Sequence, residues 1–209
     1  MDYLQLLINR YPQLSAVEND IIIAYSILEN AFSSSKKLLI AGNGGSASDA
    51  EHISGELMKS FVKKRPLPGS YISRLEEIAP EYAEYLGSTI QQGLPVIALP
   101  SQTSLLTACA NDMGGDTIYA QQVYGYGTEG DVFLGISTSG NSKNIYYAMI
   151  AAKAKNMKTI ALTGASGGML VEYADSSIIV PEKETYKIQE LHLPIYHTLC
   201  LMLEEHFFQ

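Results

Sequence analysis

Five short runs of consecutive apolar residues recur along the chain, and each is followed by a segment with helical spacing. The runs occupy residues 37–41, 95–99, 131–136, 158–162 and 177–180. Because their apolar residues are successive rather than alternating, we expect strands that are covered on both faces. The alternation with helices predicts an α/β fold, a doubly wound five-stranded parallel sheet flanked by helices. Ligands of such sheets bind beyond the carboxyl ends of the strands, where the strand order reverses.

Two segments lie outside this alternation. Residues 1–36 predict an N-terminal helical segment, with Ser15 and Glu18 spaced as a capping box ahead of a wide apolar stripe. Two helices have no core of their own, so either the domain at 37–209 or a second subunit must cover that stripe. Residues 63–94 are an inserted excursion, in which Ser73 is expected to cap a Glu-rich helix that breaks at Pro80 and ends near Gly87.

Composition excludes several classes of protein. The chain has 209 residues, 46% hydrophobic and 17% charged, which suits one domain or at most two small ones. The net charge of -8 disfavours nucleic-acid partners. The sequence has neither a basic segment followed by an apolar stretch nor a long apolar run, which disfavours secretion and membrane partners. Cys109 and Cys200 lie far apart and form no CxxC pattern, so they support neither a disulfide framework nor a zinc site made of cysteines. We therefore expect a reducing, cytoplasmic location.

Two loops at the ends of predicted strands have compositions that suit a phosphorylated ligand. Residues 42–46 read Gly-Asn-Gly-Gly-Ser and open a helix, so they fit either a phosphate or sugar hydroxyl, or only a tight turn. Residues 137–142 read Ser-Thr-Ser-Gly-Asn-Ser, and four hydroxyls with helix amides can surround a phosphate without Lys or Arg. We interpret the second loop as a phosphate site and residues 163–168 as a turn.

Histidine and carboxylate residues suggest a second kind of chemistry. His52 and Glu56 are four residues apart on one helix face, as in half a zinc site, an acid and base pair, or a surface hydrogen bond. On the last helix, Gln189 and His197 are eight residues apart, about 12 Å along a regular helix, and cannot meet one small ion from an undistorted helix. Either the helix start is irregular, Pro194 kinks it, or the two groups belong to different subunits.

Four groups of residues resemble, in order, the motifs of the phosphoheptose isomerases of the sugar isomerase (SIS) domain superfamily. They are residues 41–46 with His52 and Glu56, Asn111-Asp112, residues 135–142, and residues 188–190 with His197. The resemblance covers nearly the whole chain and implies a single SIS domain. It implies conversion of sedoheptulose 7-phosphate to D-glycero-D-manno-heptose 7-phosphate, in heptose biosynthesis for surface polysaccharide.

The resemblance also implies roles for individual residues. Those implied to bind the sugar phosphate are Asn43, Gly44, Gly45, Glu56, Asn111, Asp112, Ser137, Thr138, Ser139, Ser142 and Gln189. Those implied to bind one Zn2+ per subunit are His52, Glu56, Gln189 and His197. The family is homotetrameric with active sites at subunit interfaces, which implies that the N-terminal helices pack in an oligomer.

Moving a carbonyl from C2 to C1 through an enediol needs a base beside the carbonyl and an acid or Lewis acid at its oxygen. We assign Glu56 as the base and His197 as the acid. The family often has an arginine shortly after this glutamate, and here Lys59 or Lys63 would have to replace it. The alternatives are an isomerase of another phosphosugar and a noncatalytic SIS tetramer that binds a replication initiator or senses a sugar phosphate. The complete set of implied metal ligands favours an enzyme.

Overall fold

A five-stranded parallel sheet lies at the centre of the computed structural model, which describes residues 2–208. The strands are β1 (Leu38–Gly42), β2 (Val96–Ala98), β3 (Val132–Ser137), β4 (Lys158–Thr163) and β5 (Ser176–Ile179). They lie in the order β2-β1-β3-β4-β5, and every neighbouring pair is parallel. The predicted α/β fold and its parallel sheet are confirmed, and each predicted strand end lies within one residue of the observed end.

Helices cover both faces of the sheet. The helices are α1 (Tyr3–Arg10), α2 (Glu18–Ser33), α3 (Gly45–Met58), α4 (Gly69–Ile78), α5 (Pro80–Thr89), α6 (Thr103–Asp112), α7 (Ile118–Tyr126), α8 (Lys143–Ala154) and α9 (Thr185–Phe207). Leu38 and Ile40 of β1 pack in the layer that contains α2, α3 and α9, whereas Leu39 and Ala41 pack with α7 and α8. Successive strand residues therefore enter opposite core layers, which explains their unbroken apolar character. Within residues 2–208, no helix combines the length and apolar character needed to cross a membrane.

The strand order places a crevice between β1 and β3. The chain forms β2 on one side of β1 and then returns to form β3 on the other side. Helix α3, after β1, and helix α8, after β3, consequently lie on opposite faces of the sheet. Loops that diverge in this way leave an opening at the carboxyl edge of the sheet, where ligands bind in folds of this kind.

The N-terminal helices are covered by the chain's own sheet domain. Leu7, Leu14, Ile21 and Leu28 are buried in the same core layer as β1 and β3. The predicted capping box is wrong, because the chain forms a 3-10 turn over Pro12–Val17 and α2 begins only at Glu18, without a side-chain cap. That turn buries Leu14 and Val17, which a helix starting at Ser15 would have placed differently.

The inserted excursion is a pair of short helices, α4 and α5, that pack on each other; we call it the 69–90 hairpin. No residue of α4 is buried, and Ala83 is the buried residue of α5. The predicted break at Pro80 is confirmed. The predicted start at Ser73 is wrong, since α4 begins at Gly69 directly after Pro68, and the second helix continues past Gly87 to Thr89.

Candidate active site

A cavity of about 300 Å³ opens at the carboxyl ends of β1 and β3, where the strand order reverses. Seven of the residues implied to bind substrate line it: Asn43, Gly44, Gly45, Ser137, Thr138, Ser142 and Gln189. Ser46, Ile136 and Thr185 complete the lining. Of these, Thr185 was not singled out from the sequence, because only the fold shows that the last helix begins at this cavity.

Three helices begin at the cavity wall. Gly45 is the first residue of α3, Ser142 directly precedes α8, and Thr185 is the first residue of α9. The first amides of a helix lack partners within the helix, and the helix dipole is positive at that end. No lysine or arginine is among the described lining residues. Three helix N-termini and several hydroxyls therefore suit a phosphate without a cationic side chain.

Side-chain contacts hold the two loops of the cavity together. The amides of Asn43 and Asn144 exchange two hydrogen bonds of 2.9 Å, which join the loop after β1 to the first turn of α8. The hydroxyls of Ser137 and Ser142 lie 3.0 Å apart and close the second loop on itself. A Cβ atom on Gly45 would lie 2.6 Å from Nε2 of Gln189, so glycine gives that amide its place in the cavity.

The second loop also rests on the loop after β4, which the sequence indicated only as a turn. The amide of Gly164 donates to the carbonyl of Thr138 at 3.1 Å, and the amide of Leu170 donates to the carbonyl of Gly140 at 3.0 Å. Gly140 has a φ of +67°, and a Cβ atom there would lie 1.8 Å from the carbonyl oxygen of Gly167. The two loops therefore touch through their backbones, which fixes the shape of the loop at 137–142.

Four residues implied to bind substrate lie outside the cavity lining of this chain: Glu56, which belongs to the cluster described below, and Ser139, Asn111 and Asp112. Ser139 is exposed, and its hydroxyl accepts the amide of Asn141 at 3.2 Å. Asn111 and Asp112 are exposed at the end of α6, where the amide of Asn111 donates to the carboxylate of Asp112 at 2.8 Å. One chain alone therefore does not bring these three side chains to the cavity.

A cluster of two histidines and a glutamate lies between α3 and α9. Nε2 of His52 is 3.2 Å from Oε1 of Glu56 and 3.4 Å from Nε2 of His197. Burial and the neighbouring His52 lower the pKa of His197, although Glu56 opposes them. Nζ of Lys59 lies 3.5 Å from Oε2 of Glu56, whereas Lys63 pairs with Glu205. Of the two lysines proposed from the sequence, Lys59 is therefore the one beside the glutamate.

A chain of hydrogen bonds orients His52. The hydroxyl of Tyr196 donates to Oδ1 of Asp49 at 3.1 Å and lies 3.1 Å from Nδ1 of His52. Because Tyr196 has one proton and gives it to Asp49, Nδ1 of His52 must donate to the tyrosine oxygen. The lone pair of Nε2 then faces Glu56 and His197. Neither Asp49 nor Tyr196 was found from the sequence, although Asp49 lies one turn before His52 and Tyr196 adjoins His197.

Comparison with known proteins decides the family. A family model described as the SIS domain matches residues 74–164. The chain is 43% identical over 178 residues to phosphoheptose isomerase 2 of Campylobacter jejuni, covering 85% of this chain and 76% of that protein. It is 41% identical to the phosphoheptose isomerase of Aneurinibacillus thermoaerophilus, covering 85% and 77% respectively. The chain belongs to the phosphoheptose isomerase family.

The fold agrees with this assignment. The structure of a phosphoheptose isomerase from Neisseria gonorrhoeae superposes with a TM-score of 0.76 at 31% sequence identity. The superposition covers 96% of this chain and 94% of that one. The sheet, the flanking helices and the N-terminal segment of this phosphoheptose isomerase family member therefore match a solved relative almost from end to end.

Within one chain, the full set of four implied zinc ligands of this phosphoheptose isomerase family member is not assembled, because Gln189 lines the cavity rather than the cluster of His52, Glu56 and His197. Among residues 2–208, no group of three or more His, Cys, Asp or Glu side chains is placed to hold a metal ion. Helix α9 is unbroken from Thr185 to Phe207, so an irregular start does not bring Gln189 to His197. A proline kink at Pro194 would change the direction of the helix but not the separation of about 12 Å along it.

The chemistry of the donors nevertheless fits a cation. The oriented His52 offers the lone pair of Nε2, and Glu56 offers a carboxylate oxygen 3.2 Å away. Two acceptors that face each other at this distance repel unless a proton or a metal ion lies between them. Imidazole nitrogen and carboxylate oxygen are both common zinc ligands.

Proposed function

We propose that the protein is a ketose–aldose isomerase that converts sedoheptulose 7-phosphate to D-glycero-D-manno-heptose 7-phosphate, for heptose biosynthesis. One observation carries this proposal. Helix α3 begins at the phosphate cavity and bears His52 and Glu56 further along the same helix. An anion site and an acid–base cluster on one rigid helix suit a small phosphorylated substrate that reacts away from its phosphate. The relatives named above carry the name of the same activity.

The side chains can carry out the proton transfers. Glu56 removes the proton from C1 of the ketose, and electrons move to the C2 carbonyl to give the enediol. The same carboxyl group then delivers the proton to C2, while the hydroxyl proton of O1 passes to O2 with His197 as the carrier. The C1 oxygen becomes the aldehyde and C2 becomes the alcohol, so atoms and charge balance. Because its pKa is lowered, His197 is neutral at pH 7 and can both donate and accept a proton.

We also propose that one Zn2+ per subunit binds at this cluster. His52, Glu56 and His197 would hold the ion, together with Gln189 from a neighbouring subunit. A bound ion would take the place of His197 in stabilising the negative charge on the substrate oxygen, because a ring nitrogen that binds the ion cannot also carry a proton. Support comes from the oriented lone pair of His52 and from the separation of Gln189 and His197 along one unbroken helix. This arrangement makes a homotetramer with active sites between subunits the proposed working form.

Solvent proton exchange tests the proposal. Wild-type protein in deuterated buffer, with and without added zinc, is expected to exchange the C1 proton of sedoheptulose 7-phosphate. Glu56→Gln removes the base and is expected to slow exchange about 10²–10⁴-fold. Glu51→Gln is the matched control, because Glu51 lies on the same helix, is exposed and contacts only Ser101 among the described hydrogen bonds.

Each outcome separates the alternatives. Binding of the sugar phosphate without exchange would favour a noncatalytic sensor, and exchange with a different phosphosugar alone would change the substrate. Exchange that persists in Glu56→Gln would contradict the assignment of the base. Gel filtration with light scattering measures the oligomer, and a monomer that exchanges protons at the wild-type rate would contradict the shared site.

A further inference from the structure

A buried ion pair links the C-terminal end of α3, the helix that carries His52 and Glu56, to helix α9. The side chains of Arg65 and Glu204 are 0% and 1% exposed, and Nη2 of Arg65 lies 2.9 Å from Oε1 of Glu204. Nε of Arg65 donates to the same oxygen at 2.9 Å. Neither residue lines the phosphate cavity. No sequence pattern indicates that this arginine, in the run Lys-Lys-Arg-Pro, is buried.

Arg65 binds the last turn of α3 through its remaining donors. Nη2 donates to the carbonyl of Glu56 at 3.0 Å, and Nη1 donates to the carbonyl of Leu57 at 2.7 Å. Helix α3 ends at Met58, so these carbonyls have no partner within the helix. A cation at this helix end is also favourable for the dipole. The backbone of Glu56 is therefore held by the guanidinium of Arg65.

Glu204 holds the segment that packs on His197. Its carboxylate accepts the amides of Phe61 at 2.8 Å, Val62 at 3.0 Å and Lys63 at 3.1 Å. Burial raises the pKa of Glu204, but these hydrogen bonds outweigh burial and hold it below its usual range. The ring of Phe61 stands 5.4 Å from the ring of His197. One carboxylate thus fixes both the loop after α3 and the ring against His197.

We propose that Arg65 and Glu204 are positioning residues that hold Glu56 and His197 at their working separation. This inference rests on the proposed isomerase function. Arg65 donates to the backbone carbonyl of Glu56 on α3, and Glu204 holds the loop whose Phe61 ring packs against His197 of α9. Neither Arg65 nor Glu204 lines the cavity. Breaking it leaves a buried charge unpaired and frees both supports. The expected result is slower chemistry with substrate affinity preserved.

The test compares two ion pairs that each contain a buried carboxylate in the intact protein. Glu204→Gln breaks the pair beside the cluster. Asp131→Asn is the matched control, because Asp131 is 1% exposed and pairs with Lys37 at 2.6 Å. Both residues of the control pair directly precede strands, at the edge of the sheet opposite the cavity. Folded fraction is checked by circular dichroism before the kinetics of sedoheptulose 7-phosphate isomerisation are measured.

Glu204→Gln is expected to lower kcat about 10–100-fold, with KM within about twofold of wild type. Arg65→Lys keeps the charge but loses the planar fork whose separate nitrogens reach Glu204 and both carbonyls, so kcat is expected to fall about tenfold. Asp131→Asn is expected to lower stability while leaving kcat and KM within about twofold.

Equal kinetic changes in Glu204→Gln and Asp131→Asn would overturn the inference, since they would show a loss of stability alone. Phe61→Leu leaves both charges paired and covers the case in which the charge variants do not fold. It is expected to lower kcat several-fold because the ring against His197 is lost, and an unchanged kcat would overturn the inference. A wild-type protein without isomerase activity would instead refute the proposed function.

Discussion

Replacing Gly140 by alanine tests whether the loop at 137–142, which we propose binds phosphate, takes its shape from direct backbone contact with the loop after β4. Gly140 has a φ of +67°, in the left-handed region that L-residues adopt only at a cost. The added methyl carbon would lie 1.8 Å from the carbonyl oxygen of Gly167 and 2.9 Å from the amide nitrogen of Gly168. Neither neighbour is a side chain that can turn away, so one of the loops must move.

The two effects give the expected magnitude. The left-handed conformation costs about 1–2 kcal/mol for a residue with a Cβ atom. Overpacking against fixed neighbours costs about 1–3 kcal/mol more. Together they lower the free energy of unfolding by about 2–5 kcal/mol, which is a fall in Tm of roughly 4–20 °C for a chain of this size. The hydroxyls of the loop would also leave their positions in the cavity, so phosphate binding is expected to weaken.

Thermal unfolding of Gly140→Ala measures this effect, with Gly55→Ala measured in parallel as the control. Gly55 lies within α3, and a Cβ atom there would have no neighbour within 4 Å. The same substitution is expected to stabilise the helix by about 0.5–1 kcal/mol. Opposite signs for the two variants support the reasoning. A Gly140→Ala protein as stable as wild type would refute it, because it would show that the loops do not depend on each other.

Two further predictions concern the cluster and the core. Tyr196→Phe removes the hydroxyl that orients His52, and isomerase activity is expected to fall about 10–100-fold with unchanged circular dichroism; wild-type activity would contradict the orienting role. Burial lowers the pKa of His192 to about 4, so below pH 6.5 the unfolded chain binds a proton that the folded chain does not. Stability is expected to fall by about 2 kcal/mol from pH 7 to pH 5, and urea unfolding should show a smaller fall in His192→Leu.

Local sequence patterns predicted the sheet and indicated the two loops, 42–46 and 137–142, that line the cavity, because each depends on neighbours in the chain. A strand covered on both faces needs successive apolar residues, and the run at 131–136 has them from Val132 to Ile136. Long-range contacts left no such pattern. Tyr196 reaches His52 from 144 positions away, and Arg65 meets Glu204 across 139. Their partners are set by how α3 and α9 cross, which periodicity does not encode.

Errors at helix starts have a related cause. Ser15 with Glu18 has the spacing of a cap, but burial of Leu14 and Val17 in the core draws the chain into a 3-10 turn instead. Tertiary packing therefore outweighed a local hydrogen bond worth about 1 kcal/mol. The prediction of metal ligands on α9 was limited in a different way. Its spacing indicated that one regular helix cannot supply both Gln189 and His197 to one ion, and α9 is helical from Thr185 to Phe207, but the spacing does not indicate which surfaces would bring two copies together.

The junction where the 69–90 hairpin leaves and rejoins the rest of the chain, at residues 66 and 91–92, has a consequence for how this chain can change over evolution. Pro66 and Gln91 pair as an antiparallel bridge, and the side chain of Gln92 donates to the carbonyl of Pro66 at 2.6 Å. The two ends of the insertion therefore meet, and closing a longer or shorter loop there changes the entropy of folding only slowly with length. The strand order and both core layers are complete without the hairpin. This junction is a point where the chain can gain, lose or exchange a whole structural unit while the sheet and the cavity at its carboxyl edge stay unchanged.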